Sequence, residues 1–259
     1  MTLPTRARLM AVALVLPLLC LRPLAGQVPD SVDLSPDRSV GGEVAVSLVA
    51  AGMDVPAAIA FLPDGRALVA DRPAATMYLL DPGTGALRPV TGLPAVAAVG
   101  DGGIHDVLVD PEFAANGTVY LSYTVAGPGE TYALAVDRGR LEGGTLRGVE
   151  RLFTAAPFLE GGDHFGGRLA LDGAHLFITS GDRQHRDLAQ SLDNHIGKIL
   201  RIRADGSIPA DNPFAGREDA RAEIWSYGHR NPQGLAIHPV TRELWSSEHG
   251  PLGGDEINV

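Results

Sequence analysis

From Ala58 onward the chain repeats one pattern: a short apolar run, a tight turn, a second apolar run, then a polar, glycine-rich loop. Four copies stand out: "AIAFLPDGRALVADR" from Ala58, "DVLVDPEFAANGTVYLSYT" from Asp106, "RLALDGAHLFITSGD" from Arg168 and "GLAIHPVTRELWSSEHG" from Gly234. Apolar runs of this length joined by Pro63-Asp64-Gly65, Asn116-Gly117, Asp172-Gly173 and His238-Pro239 predict β-hairpins, because these residues tolerate or impose turn dihedrals. The copies begin roughly 50 to 65 residues apart, and further strand-like runs ("TMYLL", "YALAV", "KILRI") lie between them. Helical periodicity is scarce and Gly and Pro punctuate throughout, so the expectation is an all-β fold with blades of about four strands. A β-propeller accounts for four similar hairpins at long, even spacing better than a β-sandwich does.

Hairpin geometry constrains the loops. The start of the first strand and the end of the second lie at one edge, so the flanking loops open on one face. Before the first strands stand Gly100-Asp101-Gly102-Gly103, Asp163-His164-Phe165-Gly166-Gly167 and Arg230-Asn231-Pro232-Gln233. After the second strands stand Asp71-Arg72, Gly181-Asp182-Arg183 and Glu248-His249-Gly250-Pro251. One candidate site at the mouth of the propeller follows.

Length and charge narrow the class. With 259 residues and a formal net charge of -10, the chain can bury a substantial core and is not a nucleic-acid binder that relies on phosphate attraction. Arg6 and Arg8 precede an apolar run from Leu9 to Leu21, and Pro23, Ala25 and Gly26 follow. This reads as a cleavable export signal over 1–26, since the run is shorter than the roughly 18 residues a membrane span needs. A polar lead-in (27–42) and the propeller (43–259) would follow, with a periplasmic or secreted location and no membrane span in the mature chain. The one cysteine, Cys20, lies in the apolar run, so the mature chain would carry no disulfide.

Three rim segments carry candidate chemistry. His164 stands beside Asp163 and two glycines that let a flat ligand approach the backbone; it reads either as a proton acceptor or as an ordinary turn histidine. "WSYGHRNPQGLA" places Arg230, Asn231 and Gln233 around a proline, either for binding carboxylate and carbonyl groups or for pairing Arg230 with a protein carboxylate. "SSEHGPLGGDEIN" combines Glu248, Asp255 and Glu256 with bare backbone, as a calcium loop or a solvated acidic loop. His105 and Asp106, at the start of a strand, read as structural; His195, Lys198 and Arg201 read as exposed basic residues on a hairpin; "DNPF" from Asp211 reads as an Asx turn. Phosphate-loop, Rossmann, zinc-pair and serine-elbow patterns are absent from the sequence.

"GDHFGGRL", "IGKILRI", "DNPF", "EIWSYGHRNPQGLA" and "EHGPLGGDEIN", in this order, resemble the quinoprotein glucose/sorbosone dehydrogenase family, nearest to its soluble periplasmic aldose sugar dehydrogenases. The resemblance runs from about Val44 to the last residue. It implies a six-bladed β-propeller that binds pyrroloquinoline quinone (PQQ) and calcium, with roughly the first four blades in this chain. It implies His164 as the base that takes the proton of an aldose C1 hydroxyl during hydride transfer to PQQ, with Arg230 stabilising developing charge. Arg230, Asn231 and Gln233 would bind the cofactor. The main-chain carbonyls of Gly250 and Pro251 and the Glu256 carboxylate would serve calcium. An external electron acceptor is also implied.

Two departures stand out. Asp101 occupies a cofactor-facing position where the family often has glutamine, and the chain stops at Val259, where the family continues through further blades. A non-catalytic propeller binding a sugar or a protein, and a calcium-dependent lactonase-type hydrolase, are the competing expectations.

Overall fold

A computed structural model describes residues 47–259. The export-signal reading of 1–26 and the lead-in reading of 27–42 therefore lie outside the described residues. Each hairpin of the sequence pattern opens one antiparallel sheet. The first sheet runs β1 (Pro56–Phe61), β2 (Ala67–Asp71), β3 (Thr76–Asp81) and β4 (Ala86–Pro89) in chain order. The second runs β5 (Ile104–Val109), β6 (Thr118–Ala126), β7 (Thr131–Glu142) and β8 (Thr145–Thr154), with β9 (Leu159–Glu160) paired to β7. The third runs β10 (Gly166–Asp172), β11 (His175–Ser180), β12 (Lys198–Arg203) and β13 (Ile224–Tyr227), and the fourth β14 (Pro232–Ile237), β15 (Leu244–Glu248) and β16 (Glu256–Asn258). Consecutive neighbours in every sheet and adjacent first strands (β1 by β5, β5 by β10, β10 by β14) make these four blades of a β-propeller, as the hairpin spacing predicts.

Sheet faces pack on sheet faces. Leu68, Ala70, Met77 and Leu79 of the first sheet meet Val119, Leu121 and Tyr123 of β6, all buried. On the far side of that sheet Tyr120, Leu134, Val136 and Phe153 meet Leu176, Ile178, Leu200 and Ile202 of the third. Alternating residues of β6 thus serve opposite cores, and each fully buried Leu or Ile contributes about 1.5–3 kcal/mol.

One irregularity recurs in all four hairpins. Register shifts between Pro56 and Ala58, between Ile104 and Asp106, between Gly166 and Leu169, and between Pro232 and Gly234, each at the start of a first strand. A bulge leaves a carbonyl without its ladder partner and re-aims the side chain. The Arg168 guanidinium collects those carbonyls: Nη1 donates to Ala57 O at 3.0 Å and His105 O at 3.1 Å, and Nε donates to Gln233 O at 2.8 Å. A side chain of the third sheet thereby ties together the first strands of the other three.

Two short helices accompany the strands, and one expectation needs correction. Short helices α1 (Phe113–Asn116) and α2 (Arg186–Gln190) interrupt the β pattern; neither is long enough to leave a periodic signature. His195, Lys198 and Arg201 are buried rather than exposed: β12, which carries Lys198 and Arg201, is the third strand of a sheet packed on both faces, and His195, just before it, packs on the Phe153 ring. Each finds a partner inside. Lys198 Nζ donates to the carbonyls of Leu188, Ala189 and Ile196 at 3.0, 3.0 and 2.5 Å, and burial pushes it down to about 8. Arg201 Nε donates to Asn212 Oδ1 at 2.6 Å, and His195 Nδ1 accepts from the Ala156 N–H at 3.0 Å. No helix among the described residues is long and apolar enough to cross a membrane.

Candidate functional site

Because the bulged ends of the first strands point the same way, the loops around them close on one cleft of about 310 Å³. Arg72 follows β2, Asp101 precedes β5, His105 lies in the bulged start of β5, and His164 and Phe165 precede β10. Arg230 and Asn231 precede β14, Gln233 lies at its start, and His249 follows β15. The structure thus brings together His164, Arg230, Asn231, Gln233 and Asp101, as the loop argument expects.

His164 has the left-handed backbone value φ +52°, unusual for a residue with a side chain and tolerated where surrounding contacts hold it. Those contacts are specific. Its Nδ1 lies 2.7 Å from Asp182 Oδ1, and its Nε2 lies 3.5 Å from an Arg230 guanidinium nitrogen. Both neighbours favour one tautomer: Nδ1–H donates to the carboxylate, and Nε2 keeps its lone pair toward the cleft and the arginine. Asp182, rather than the adjacent Asp163, orients the ring. Asp163 accepts from the Gln184 side-chain amide instead.

The segment carrying His164 is held by its main chain. Arg183 Nε donates to Asp163 O at 2.8 Å, Nη1 to Tyr132 O at 2.9 Å and Nη2 to Gly161 O at 2.5 Å, while its guanidinium lies 3.8 Å over the Phe165 ring. Burial pushes Arg183 down to about 10, which leaves it charged at neutral pH. Asn231 Oδ1 accepts from the Gly166 N–H at 3.2 Å and from Gln233 Nε2 at 2.9 Å, bracing β10 against β14.

The arginine loop has its own anchor. Glu248, 9% exposed, accepts from His229 Nδ1 at 2.9 Å, from the Arg230 N–H at 2.6 Å and from Asn258 Nδ2 at 2.9 Å. Burial acts to raise the Glu248 carboxyl, but these donors together hold it below the usual range. Arg230 Nη1 donates to His249 O at 3.1 Å and Gly250 O at 3.0 Å, which fixes its guanidinium beside His164.

The metal-ligand expectations are not gathered in the same way. The Gly250 carbonyl faces Arg230, Pro251 borders a separate cavity with Arg186 and His229, and Glu256 lies exposed on β16. Asp255 accepts from the Gly250 N–H at 2.8 Å. Among the described residues no group of three or more His, Cys, Asp or Glu side chains stands placed to hold a metal ion.

Sequence reasoning placed Asp182 and Arg183 on the rim without their roles, and took His105 as structural although it lines the cleft. The available signal was position: each of the three adjoins the rim end of a hairpin strand.

Residues 53–259 match the family model described as glucose / sorbosone dehydrogenase. Among curated relatives, the aldose sugar dehydrogenase YliI of Escherichia coli (strain K12) is 40% identical over 248 residues, which cover 95% of this chain and 64% of that protein. The quinoprotein glucose dehydrogenase B of Acinetobacter calcoaceticus is 29% identical over 240 residues, covering 82% of this chain and 49% of that one. Among solved structures, the PQQ-bound form of aldose sugar dehydrogenase from Streptomyces coelicolor superposes with a TM-score of 0.72 at 32% identity, covering 81% of this chain and 61% of that chain. The chain thus spans less than two thirds of the length of each of these proteins. A family match that takes in all four sheets and the whole rim places the chain in the glucose/sorbosone dehydrogenase family.

Proposed function

We propose that the protein is a PQQ-dependent oxidoreductase that converts an aldose to its lactone, with His164 as the base. The observation that carries this reading is the fixed ring of His164: Nδ1 is held 2.7 Å from Asp182 Oδ1, and Nε2 faces the Arg230 guanidinium at 3.5 Å in the cleft. With its proton on Nδ1, the ring can take the proton of a C1 hydroxyl at Nε2, and the Asp182 carboxylate then stabilises the imidazolium that forms. The Arg230 guanidinium, pinned by two carbonyls, meets negative charge developing on an adjacent oxygen without reorganising.

The cleft suits a flat polyanion. Arg72 and Arg230 supply positive charge, and Asn231 and Gln233 supply amide groups. Asp101 is the one carboxylate on its wall. PQQ, when bound, supplies the carbonyl carbon that accepts the C1 hydride, after which its electrons leave to an external acceptor. The PQQ named in the description of the Streptomyces coelicolor structure and the aldose named for YliI support the choice of cofactor and substrate class.

Calcium belongs to the proposal through the Gly250 and Pro251 carbonyls and the Glu256 carboxylate. The present geometry fits it poorly: Arg230 occupies the Gly250 carbonyl, and the Glu256 side chain lies with another cavity. The chemistry above uses no step through the ion. An export signal over 1–26 supports a periplasmic or secreted location.

His164→Ala tests the assignment. In protein titrated with PQQ, aldose-dependent dye reduction should fall by about 10²- to 10⁴-fold while PQQ still saturates the cleft. Turnover equal to the unsubstituted protein removes His164 from the chemistry.

A further inference from the structure

One polar ring in the cleft is left unused by this chemistry. His105 is the extra residue of the β5 bulge, is 5% exposed and lines the same cavity as His164. Its Nε2 lies 2.9 Å from Thr124 Oγ1, and that oxygen also accepts the Gly103 N–H at 3.3 Å. Thr124 is fully buried, and its hydroxyl proton has no other acceptor among the described residues. Donation from the ring to the hydroxyl would strand that proton in the interior. Donation from the hydroxyl to Nε2 satisfies the Thr124 hydroxyl and Nε2 and leaves the ring proton on Nδ1.

Nδ1 has no hydrogen-bond partner among the described residues, and it is not among the unpartnered polar atoms sealed inside the protein. The opposite edge of the ring is covered. A Cβ built on Gly167 would come within 2.5 Å of His105 Cβ and 3.1 Å of Cδ2, so the Gly167 backbone lies flat against that edge. The Nδ1 edge is the one left to the cleft.

We propose that His105 is a ligand-binding residue: its Nδ1–H, set by Thr124, donates a hydrogen bond to an acceptor oxygen of the molecule in the cleft. Burial, reinforced by Arg72, Arg168 and Arg183 nearby, pushes His105 down to about 3, so the ring stays neutral at the pH where His164 works. The cleft therefore holds two histidines of opposite sense, a lone pair at His164 and a neutral donor at His105. The identity of the ligand rests on the oxidoreductase reading. Both the quinone and the aldose carry such oxygens.

The tautomer is tested without any ligand. Long-range ¹H–¹⁵N correlation spectra of the unliganded protein should show the proton of His105 on Nδ1, and an Nε2-protonated pattern overturns the proposal. In His105→Leu, either the Kd for PQQ or the KM for the aldose should rise about five- to tenfold, which identifies the oxygen that is bound. No change in either, in protein with an unaltered melting temperature, overturns it. If His105→Leu does not fold, Thr124→Val takes its place, since loss of the hydroxyl frees the ring to move its proton and should weaken the same ligand. An unsubstituted protein that takes up no PQQ sinks the oxidoreductase reading instead. The shift of the His105 Nδ1–H on adding aldose then decides the matter, movement supporting the assignment and its absence overturning it.

Discussion

His164 and His105 line one cleft, yet their surroundings give them different duties. A carboxylate holds one ring, while an enclosed hydroxyl and three arginines surround the other. For His105 this has a consequence for acid stability. Its pKa of about 3 in the folded protein lies below the unfolded value of about 6.5, so between these limits the unfolded chain binds the extra proton. Stability should fall as pH drops from 6.5 toward 3, by up to about 1.4 kcal/mol per pH unit from this residue. Urea midpoints measured across that range should decline less steeply in His105→Leu; parallel curves would show that the ring is not buried neutral. At this scale the sequence showed His164, Arg230 and Asn231, because polar groups crowd there in a few positions beside glycine. It did not show that Asp182 orients His164, because the pair meets across 18 residues and the neighbouring Asp163 offered the same chemistry.

The four hairpins were legible because paired apolar runs and turn residues repeat at even spacing. The bulges were not, since an extra residue at a strand end leaves the alternation almost unchanged. The burial of His195, Lys198 and Arg201 was equally hidden. Charged residues in and beside a strand suggest one wet face, but here carbonyls, Asn212 and the Ala156 N–H take the place of water. The loop into β14 depends in the same way on Glu248. Glu248→Ala should strand the His229 and Arg230 N–H donors and cost about 2–4 kcal/mol, read as a lower urea midpoint with faster exchange of the Arg230 amide. An unchanged midpoint and exchange rate would show that the loop is held by other contacts.

Across the whole molecule, Arg168 joins what the topology keeps apart. Its partners are the carbonyls of Ala57, His105 and Gln233, one from each of the other three sheets. Arg168→Met should cost about 2–4 kcal/mol by leaving them without donors, and Arg168→Lys should restore only part, since an ammonium cannot reach three directions in one plane. Matching urea midpoints for Met and Arg would show that the bulges need no such tie. Arg168 and Arg183 both grip main-chain oxygens, and every residue type carries the same oxygen. The side chains of those acceptor residues can therefore be exchanged without loosening the grip on their carbonyls. Residues such as Gln233 and Asp163 can change identity while their carbonyls stay in the grip, so variation at the mouth of this propeller leaves these ties to its fold in place.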